Sequence, residues 1–389
     1  MTTYSLISID HVNQLIPALA ALKHFNAREN ISSRRVLIFT KPHLYFSDTT
    51  LNQIRALLRN ESSCTLIVGN TLFKDLKLLN NMPVLLRAKF LLKKLKDYPI
   101  TEIFFSHDIS SDFWNQTLMH AFPEANRICY GDALGLVYSQ HHFTQLMYSI
   151  RINNKILLTN LLARLKRRFI YPNKKNQLLA NRAILAIPCD PGKDFLNQCE
   201  LSIVSQQELQ DCVKQLSDSL PDFKVHMKEL ILQSQKPCFL LMPSNFTESK
   251  LTTLENEIAL YQDILSTHTP EESRIIIKPH PAHNPNFLQE IVRVLKRNYD
   301  VHLVDGQYYH LPIELAESLI QGCEILSVSY SSVSIPYIYN KPVKHVLTQK
   351  MIEDYFSKEK MHWFIESNNL YLRMIAALKD WNRTHALSI

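Results

Sequence analysis

Two short segments in the second half of the chain carry side chains that suit the binding of a phosphate group. The first is Lys278-Pro-His-Pro281 and the second contains Ser331 and Ser332, and each follows an apolar run rich in Ile, Leu and Val. Such runs predict buried parallel strands, which deliver the residues after them to the carboxyl edge of a sheet. The two prolines restrict the backbone of His280. A fixed imidazole beside two hydroxyl groups therefore predicts a site for a phosphate-bearing leaving group.

Each segment also has a purely structural interpretation. A His-Pro pair after a strand often forms only a turn, and serines after a strand often cap a helix. Both segments occur in this order in what the pattern predicts to be one α/β domain. Their combination favours a binding site over two unrelated turns.

Length and composition are typical of a two-domain enzyme. The 389 residues suit two domains of ordinary size, and a hydrophobic fraction of 46% is enough for sizeable cores. The chain has only six glycines, which leaves no room for the Gly-rich phosphate loops of dinucleotide enzymes, P-loop NTPases or kinases. Two of the six lie in Tyr130-Gly-Asp-Ala-Leu-Gly135, directly after the strand-like Asn126–Cys129. This placement predicts a tight turn that exposes Asp132.

Apolar runs alternate with helical periodicity along the chain, a pattern that predicts βαβ units and parallel sheets. In the first half the runs begin near residues 4, 35, 64, 102, 127 and 183, and in the second half near residues 237, 274, 301 and 324. We therefore predict an α/β fold of two Rossmann-like domains that face a cleft. The predicted domains are residues 1–190 and residues 191–389.

The cysteine pattern and the hydropathy of the chain indicate the cellular compartment. Seven widely spaced cysteines without a CxxC pair predict reduced thiols in a cytosolic protein. The first ten residues lack the pattern of a secretory signal, and no run approaches the roughly 18 apolar residues of a membrane-spanning helix. We therefore expect a cytoplasmic protein.

The formal net charge of +7 is unevenly distributed. Residues 85–96 and 160–169 both have the pattern of amphipathic helices with basic faces, which is compatible with anionic lipid or an acidic polymer. Solvated helix faces are the alternative. No nucleic-acid-binding module is recognisable, and the basic residues are not interleaved with aromatics as such modules require. We expect peripheral membrane contact and no nucleic-acid partner.

The motifs resemble those of bacterial polysialyltransferases and related sialyltransferases. Lys278-Pro-His-Pro281 is similar to their His-Pro motif, Ser331-Ser332 to their serine motif, and Leu311-Pro-Ile-Glu314 to a Pro-x-Glu segment between the two. The resemblance implies a GT-B fold, a CMP-sialic acid donor on the second domain, an acceptor on the first, and inversion at the anomeric carbon. It also implies that His280 contacts the donor phosphate and that the two serines bind phosphate or nucleotide.

Three further residues of these motifs are expected to bind the donor nucleotide or its phosphate, namely Lys278, Pro281 and Glu314. Glu314 follows Pro312 at the predicted start of a helix. Its carboxylate can accept hydrogen bonds from ribose hydroxyls, or it can favour the helix N-terminus through the helix dipole. Both interpretations stay open at the level of sequence.

The resemblance also points to a catalytic base in the amino half. The family usually has two acidic residues followed by glycine, the first being the base, and the counterpart here is Gly131-Asp-Ala133. Asp132 is the predicted base, and Asp108, in another strand-end turn, is the next candidate. The chain has no Asp-x-Asp motif, and His280 with His283 lacks a carboxylate partner at ligand spacing. We expect neither a metal nor a cofactor.

Two other functions are compatible with parts of the pattern. CDP-glycerol glycerophosphotransferases of wall and capsule polymer synthesis have similar Lys-x-His-Pro and Tyr-Ser-Ser segments, but usually carry an acid where Ser329 stands. A non-catalytic polyanion-binding protein of GT-B shape is the other alternative. The resemblance favours transfer of a sialic-acid-like sugar to a hydroxyl of a cell-surface glycan, in capsule or lipooligosaccharide biosynthesis at the inner face of the cytoplasmic membrane.

Overall fold

Two compact units, Met1–Cys212 and Val213–Ile389, make up the chain. Each contains one sheet of parallel strands with helices between them, so the predicted α/β class with two Rossmann-like domains is confirmed. The facing arrangement of the two domains stays a prediction. The computed structural model describes residues 3–31, 35–42, 46–73, 82–106, 113–131, 180–188, 199–232, 235–328, 332–362, 364, 365, 368, 369, 372 and 376.

Within the described residues of the first unit, seven parallel strands form a sheet in the order β3-β2-β1-β4-β5-β6-β7. The central strands are apolar and buried along most of their length, as expected where helices cover both faces of a parallel sheet. The strands are β1 (Tyr4–Ile9), β2 (Arg35–Thr40), β3 (Cys64–Val68), β4 (Ile100–Phe105), β5 (Asn126–Cys129), β6 (Arg182–Leu185) and β7 (Glu200–Ile203).

The helices of the first unit include an unusual buried cation. Arg87 is fully buried, and its guanidinium lies 4.8 Å from the ring centroid of Trp114 on the neighbouring helix. This contact offsets part of the cost of burying the charge. The helices described between the strands are α1 (Leu15–Arg28), α2 (Asp48–Leu57), α3 (Gly69–Leu72), α4 (Val84–Lys94) and α5 (Phe113–Ala121).

In the part of the second unit that the structure describes, five parallel strands form a sheet in the order β10-β9-β8-β11-β12. Its core contains buried side chains from the strands and from the helices that flank them. The strands are β8 (Cys238–Met242), β9 (Arg274–Ile277), β10 (Asp300–Leu303), β11 (Glu324–Ser327) and β12 (Val343–His345).

Several helices of the second unit begin with side-chain caps, and two of them illustrate the pattern. The Thr253 side chain accepts a hydrogen bond from the backbone N–H of Asn256. The Asn284 side chain accepts one from the backbone N–H of Asn286, and Asn284 directly precedes the proline that begins its helix. Both caps satisfy backbone donors that a helix start leaves unpaired. From the end of the first unit onward the helices are α6 (Gln206–Asp218), α7 (Pro221–Leu232), α8 (Leu254–His268), α9 (Pro285–Leu295), α10 (Glu317–Gly322), α11 (Ser334–Tyr339) and α12 (Gln349–Tyr355).

The elements can be compared with the predicted ones. The predicted apolar runs correspond to β1–β6 and to β8–β11, while β7 and β12 were not predicted. The predicted domain boundary at residue 190 precedes β7, which pairs with β6, so the first sheet extends past that position. The predicted basic helix 85–96 is observed as α4, whereas residues 160–169 lie outside the described residues.

Candidate active site

The His-Pro motif and the serine motif follow two strands that flank the same central strand. β8 pairs with β9 on one side and with β11 on the other, all in parallel. The backbone N–H of Lys278 donates to Leu241 O and that of Val328 donates to Met242 O, so both segments leave the sheet at its carboxyl edge. Ser332 is fully buried, and Ser331 lies outside the described residues. Ligands bind at this edge in open α/β sheets.

The turn after β9 sets the tautomer of His280. The backbone N–H of Ala282 donates to Nδ1 of His280 at 3.1 Å. Because Nδ1 accepts this bond, the proton of the neutral ring is on Nε2. His280 therefore has a hydrogen-bond donor at Nε2, the type of group that a phosphate oxygen requires.

His283 stabilises the same turn through two hydrogen bonds to the backbone of His280. Its Nδ1 accepts the backbone N–H of His280 at 3.2 Å, and its own backbone N–H donates to His280 O at 3.0 Å. Its Nε2 lies 2.8 Å from Ser244 O in the loop after β8, and a carbonyl can only accept, so Nε2 carries the proton. The ring, which is only 2% exposed, thus joins the two strand-end loops.

A buried carboxylate on α8 supports both loops. Glu257 accepts hydrogen bonds from the backbone N–H of Thr247 at 2.8 Å and from its hydroxyl at 2.5 Å. The hydroxyl of Tyr261 lies 3.0 Å from Glu257 Oε1 and 3.2 Å from Ser244 O. Burial raises the pKa of the Tyr261 hydroxyl well above its ordinary value, so it stays a donor. The supporting network therefore runs from Glu257 to the backbone of His280.

Lys278 is a buried cation directly beside the His-Pro turn. Its Nζ donates to Tyr309 O at 2.7 Å, which ties the loop after β10 to the end of β9. Burial lowers the pKa of Lys278 to about 8, against the opposing charge of Glu314. A donor phosphate at this edge would meet a positive charge that is 7% exposed and little screened by water.

Glu314 lies in the short helix Ile313–Leu315 and is only 6% exposed. The hydroxyl of Ser334, in α11, donates to Glu314 Oε1 at 2.5 Å. Burial raises the pKa of the Glu314 carboxyl, against the hydrogen bond from Ser334 and the charge of Lys278. The carboxylate therefore links the short helix to α11, and its contact with a ribose stays a prediction.

In the first unit, the predicted base lies just beyond the described residues. Asp132 and Asp108 both lie outside them, but the start of the predicted turn is visible. The Tyr130 hydroxyl donates to Ser8 O at 2.7 Å, and Gly131 has a φ of 81°. Only glycine adopts this left-handed backbone readily. Gly131 therefore has a backbone conformation that a tight turn can use, and the rest of the predicted turn lies outside the described residues.

Sequence reasoning missed several buried partners of this site. His283 was considered only as a metal ligand, whereas the structure assigns it hydrogen bonds to two loops. Glu257 and Tyr261 stand one turn apart on α8 and carry no motif. The only available signal was a carboxylate on the apolar face of a helix, which is rarely buried without partners. Among the described residues, no three His, Cys, Asp or Glu side chains form a group that could hold a metal ion.

Comparisons with known proteins place the chain in a class and then in a family. The two parallel sheets define a two-domain α/β protein, and the family model "Alpha-2,8-polysialyltransferase" matches residues 5–334. The chain belongs to this family and is therefore a sialyltransferase-type glycosyltransferase, which acts on a nucleotide-sugar donor and a glycan acceptor. The GT-B assignment made from the motifs agrees with this membership. No curated protein matches the chain.

Similarity to solved structures is distant. The UDP-GlcNAc 2-epimerase of Neisseria meningitidis is similar at 14% identity and a TM-score of 0.49, over 100% of each chain. The GT-B domain of a sialyltransferase from Photobacterium damselae is similar at 10% identity and a TM-score of 0.44, over 86% of this chain and 88% of that one. No helix within the described part of the chain is long and apolar enough to cross a membrane.

Proposed function

We propose that this protein transfers a sialic-acid-like sugar from a CMP-sugar to a hydroxyl group of a cell-surface glycan, without a metal and with inversion at the anomeric carbon. The observation that carries the proposal is the turn after β9, where an Nε2–H donor on His280 stands beside the buried cation Lys278. This combination suits the phosphate of a departing CMP.

The chemistry requires stabilisation of the leaving group. As the bond between the anomeric carbon and the phosphate oxygen breaks, the electron pair stays with CMP and negative charge grows on its phosphate. Each preorganised donor aimed at such charge is worth about 3 kcal/mol. In the proposal, His280, Lys278 and the serine motif provide these donors, and Pro281 holds the turn. In the proposal no metal takes part, because Lys278 offsets one charge of the monophosphate and the hydrogen-bond donors stabilise the remaining charge.

The acceptor hydroxyl must lose its proton as it attacks. In the proposal, Asp132 takes this proton while the acceptor oxygen bonds to the anomeric carbon from the face opposite CMP. Direct displacement of this kind inverts the configuration. A positioned carboxylate contributes about 10²–10⁴-fold to such a step.

Family membership bears on the alternative functions. A glycerophosphotransferase would belong to a different family, and membership of the polysialyltransferase family favours sugar transfer. The same membership argues against a non-catalytic scaffold. Among the residues that the structure describes, neither alternative has a contact of its own that favours it.

We further propose that α4 contacts the inner face of the cytoplasmic membrane. A helix face that combines exposed apolar side chains with lysines fits the boundary between lipid tails and anionic headgroups. α4 has no acidic residue that would oppose such contact. Its exposed apolar side chains, each about half exposed, are Leu85, Leu86, Phe90 and Leu92, and its exposed lysines are Lys89, Lys93 and Lys94.

The donor is tested by comparing CMP-sialic acid, CMP-Kdo and CDP-glycerol as stabilisers and as substrates. A ligand that binds only the native state raises the melting temperature by mass action. We expect CMP-sialic acid to give the largest increase and to support sugar transfer to an oligosialic acid. A larger increase with CDP-glycerol, together with glycerophosphate transfer, would refute the proposal.

Variants then separate catalysis from binding. Asp132→Asn keeps shape and hydrogen-bonding capacity but cannot take a proton, so it should keep donor affinity and lose about 10²-fold or more in turnover. His280→Ala removes a phosphate contact and should impair both donor affinity and turnover. Near wild-type turnover by Asp132→Asn would move the base elsewhere, with Asp108 as the next candidate.

A further inference from the structure

The carboxyl edge of the first sheet has its own charged pair, at the point where the strand order reverses. β1 is the strand from which the sheet continues to β2 and β3 on one side and to β4 and β5 on the other. Such a reversal opens a crevice in which open α/β sheets bind ligands. Asp10 directly follows the last residue of β1, so it stands at this crevice.

The partner of Asp10 is a buried lysine. Lys41, which follows β2, is only 1% exposed, and its Nζ lies 2.9 Å from Asp10 Oδ2. A buried ammonium requires a paired charge, because its removal from water costs several kcal/mol. The Asp10 side chain itself is 22% exposed. The fold thus holds a carboxylate at the surface of the sheet edge with a cation behind it.

The position of Asp10 is fixed by its backbone as well. Its N–H donates to Gln14 Oε1 at 2.7 Å, and the Tyr130 hydroxyl lies 3.3 Å from the same oxygen. Tyr130 is two residues before the predicted base, Asp132. Gln14 therefore joins the end of β1 to Tyr130, which precedes the predicted base in the sequence.

One oxygen of Asp10 remains for a ligand. Oδ2 is bound to Lys41, while Oδ1 makes no hydrogen bond within the part of the chain that the structure describes. A carboxylate oxygen only accepts hydrogen bonds, and a glycan acceptor offers many hydroxyl donors. We propose that Asp10, held in place by Lys41, binds a hydroxyl group of the glycan acceptor. This inference rests on the proposed function.

The test measures acceptor and donor kinetics separately, with CMP-sialic acid and a labelled α2,8-linked oligosialic acid. Asp10→Asn removes the charge that receives the hydroxyl, so the KM for the acceptor should rise at least about tenfold, the value of a hydrogen bond to a charged group. The KM for CMP-sialic acid and the rate of its hydrolysis without acceptor should stay unchanged, because neither involves the acceptor.

A second variant and a control remove the ambiguity of misfolding. Asp10→Asn removes the charge that pairs with Lys41, so the double variant Asp10→Asn/Lys41→Met, which removes both charges of this pair, should show the same acceptor defect with a native melting temperature. Glu61→Gln is the matched control. Glu61 pairs with Lys23 at 3.1 Å and lies before β3 at the opposite edge of the sheet, and its loss should leave both KM values unchanged.

The outcomes are distinguishable. An unchanged acceptor KM in the folded double variant, with transfer intact, would overturn the role of Asp10 and leave the proposed function standing. A rise in the donor KM equal to that for the acceptor would also overturn it, because the pair would then act on the whole site. Absence of hydrolysis and transfer in the wild type would overturn the proposed function itself, and this inference with it.

Discussion

The tautomer of His280 follows from a bond within its own turn. The Ala282 N–H donates to Nδ1, and this single contact places the proton on Nε2. The same turn is closed by His283, whose ring accepts the His280 N–H. A histidine between two prolines therefore has both its backbone and its ring constrained before any ligand arrives, which reduces the entropy lost on binding.

The buried Lys278 should make stability depend on pH. Burial lowers its pKa from 10.5 to about 8. Between these values the unfolded lysine binds a proton that the folded one does not, so the free energy of unfolding rises as pH increases from 8 to 10.5. The rise attributable to Lys278 is about 3 kcal/mol. Urea unfolding at both pH values should show this increment in the wild type.

Two variants isolate that increment from other titrating groups. Lys278→Met removes the titrating cation and should therefore remove the increment. The free energy of unfolding of the wild type minus that of this variant should then increase between pH 8 and pH 10.5. Lys296→Met changes an exposed lysine of the same unit and should leave the pH dependence as in the wild type. Equal pH dependence in all three proteins would contradict the buried-cation argument.

At the scale of elements, α8 positions two loops that lie far apart in sequence. Glu257→Gln places an amide group where the Thr247 N–H and hydroxyl now donate. Loss of these charge-assisted bonds should lower the free energy of unfolding by about 1–3 kcal/mol. Because the network reaches the His280 turn, affinity for CMP should fall as well. Thermal melting and CMP titration measure the two effects.

The control for this change lies on the same helix. Glu255 is exposed in the first turn of α8, so Glu255→Gln loses the same interaction with the helix dipole but no buried hydrogen bond. Glu255→Gln should therefore change the free energy of unfolding and the affinity for CMP very little. If both variants destabilise the protein equally, the buried network does not support the turn.

The α4 helix offers a second test at this scale. Phe90→Glu removes an apolar side chain and adds a charge that anionic lipid repels, so binding to phosphatidylserine vesicles should weaken at least about tenfold. Leu232→Glu changes a 70% exposed leucine on α7 and should leave vesicle binding unchanged. Cosedimentation with and without phosphatidylserine measures both. Binding that is insensitive to Phe90→Glu would place any lipid contact elsewhere.

At the scale of the whole molecule, each unit has its own sheet and its own buried core. The second unit should therefore fold by itself. A fragment of residues 206–389, which keeps α6 entire, should melt cooperatively in circular dichroism and be stabilised by CMP. A fragment of residues 213–389 cuts α6 within its length and should melt at a lower temperature.

The outcome of this comparison depends on where the units divide. If residues 206–389 are unfolded while the full chain is stable, the second unit needs the first, and the division at residue 212 is not a folding boundary. A fragment of residues 191–389 would also carry β7 without β6, its pairing partner. Its unpaired strand edge should promote aggregation.

Most strands of both sheets, and the motifs at their ends, were predictable from sequence. A buried parallel strand needs a local run of apolar residues, and a window of a few residues reveals such a run. The strands β7 and β12, four and three residues long, were not, since their conformation depends on pairing with β6 and β11. The tertiary structure alone decided which polar groups meet. Lys278 donates a hydrogen bond to Tyr309 O and Lys41 donates one to Asp10, and the partners of each pair are 31 residues apart in sequence. Such pairs follow from the register and order of strands, which local sequence does not encode.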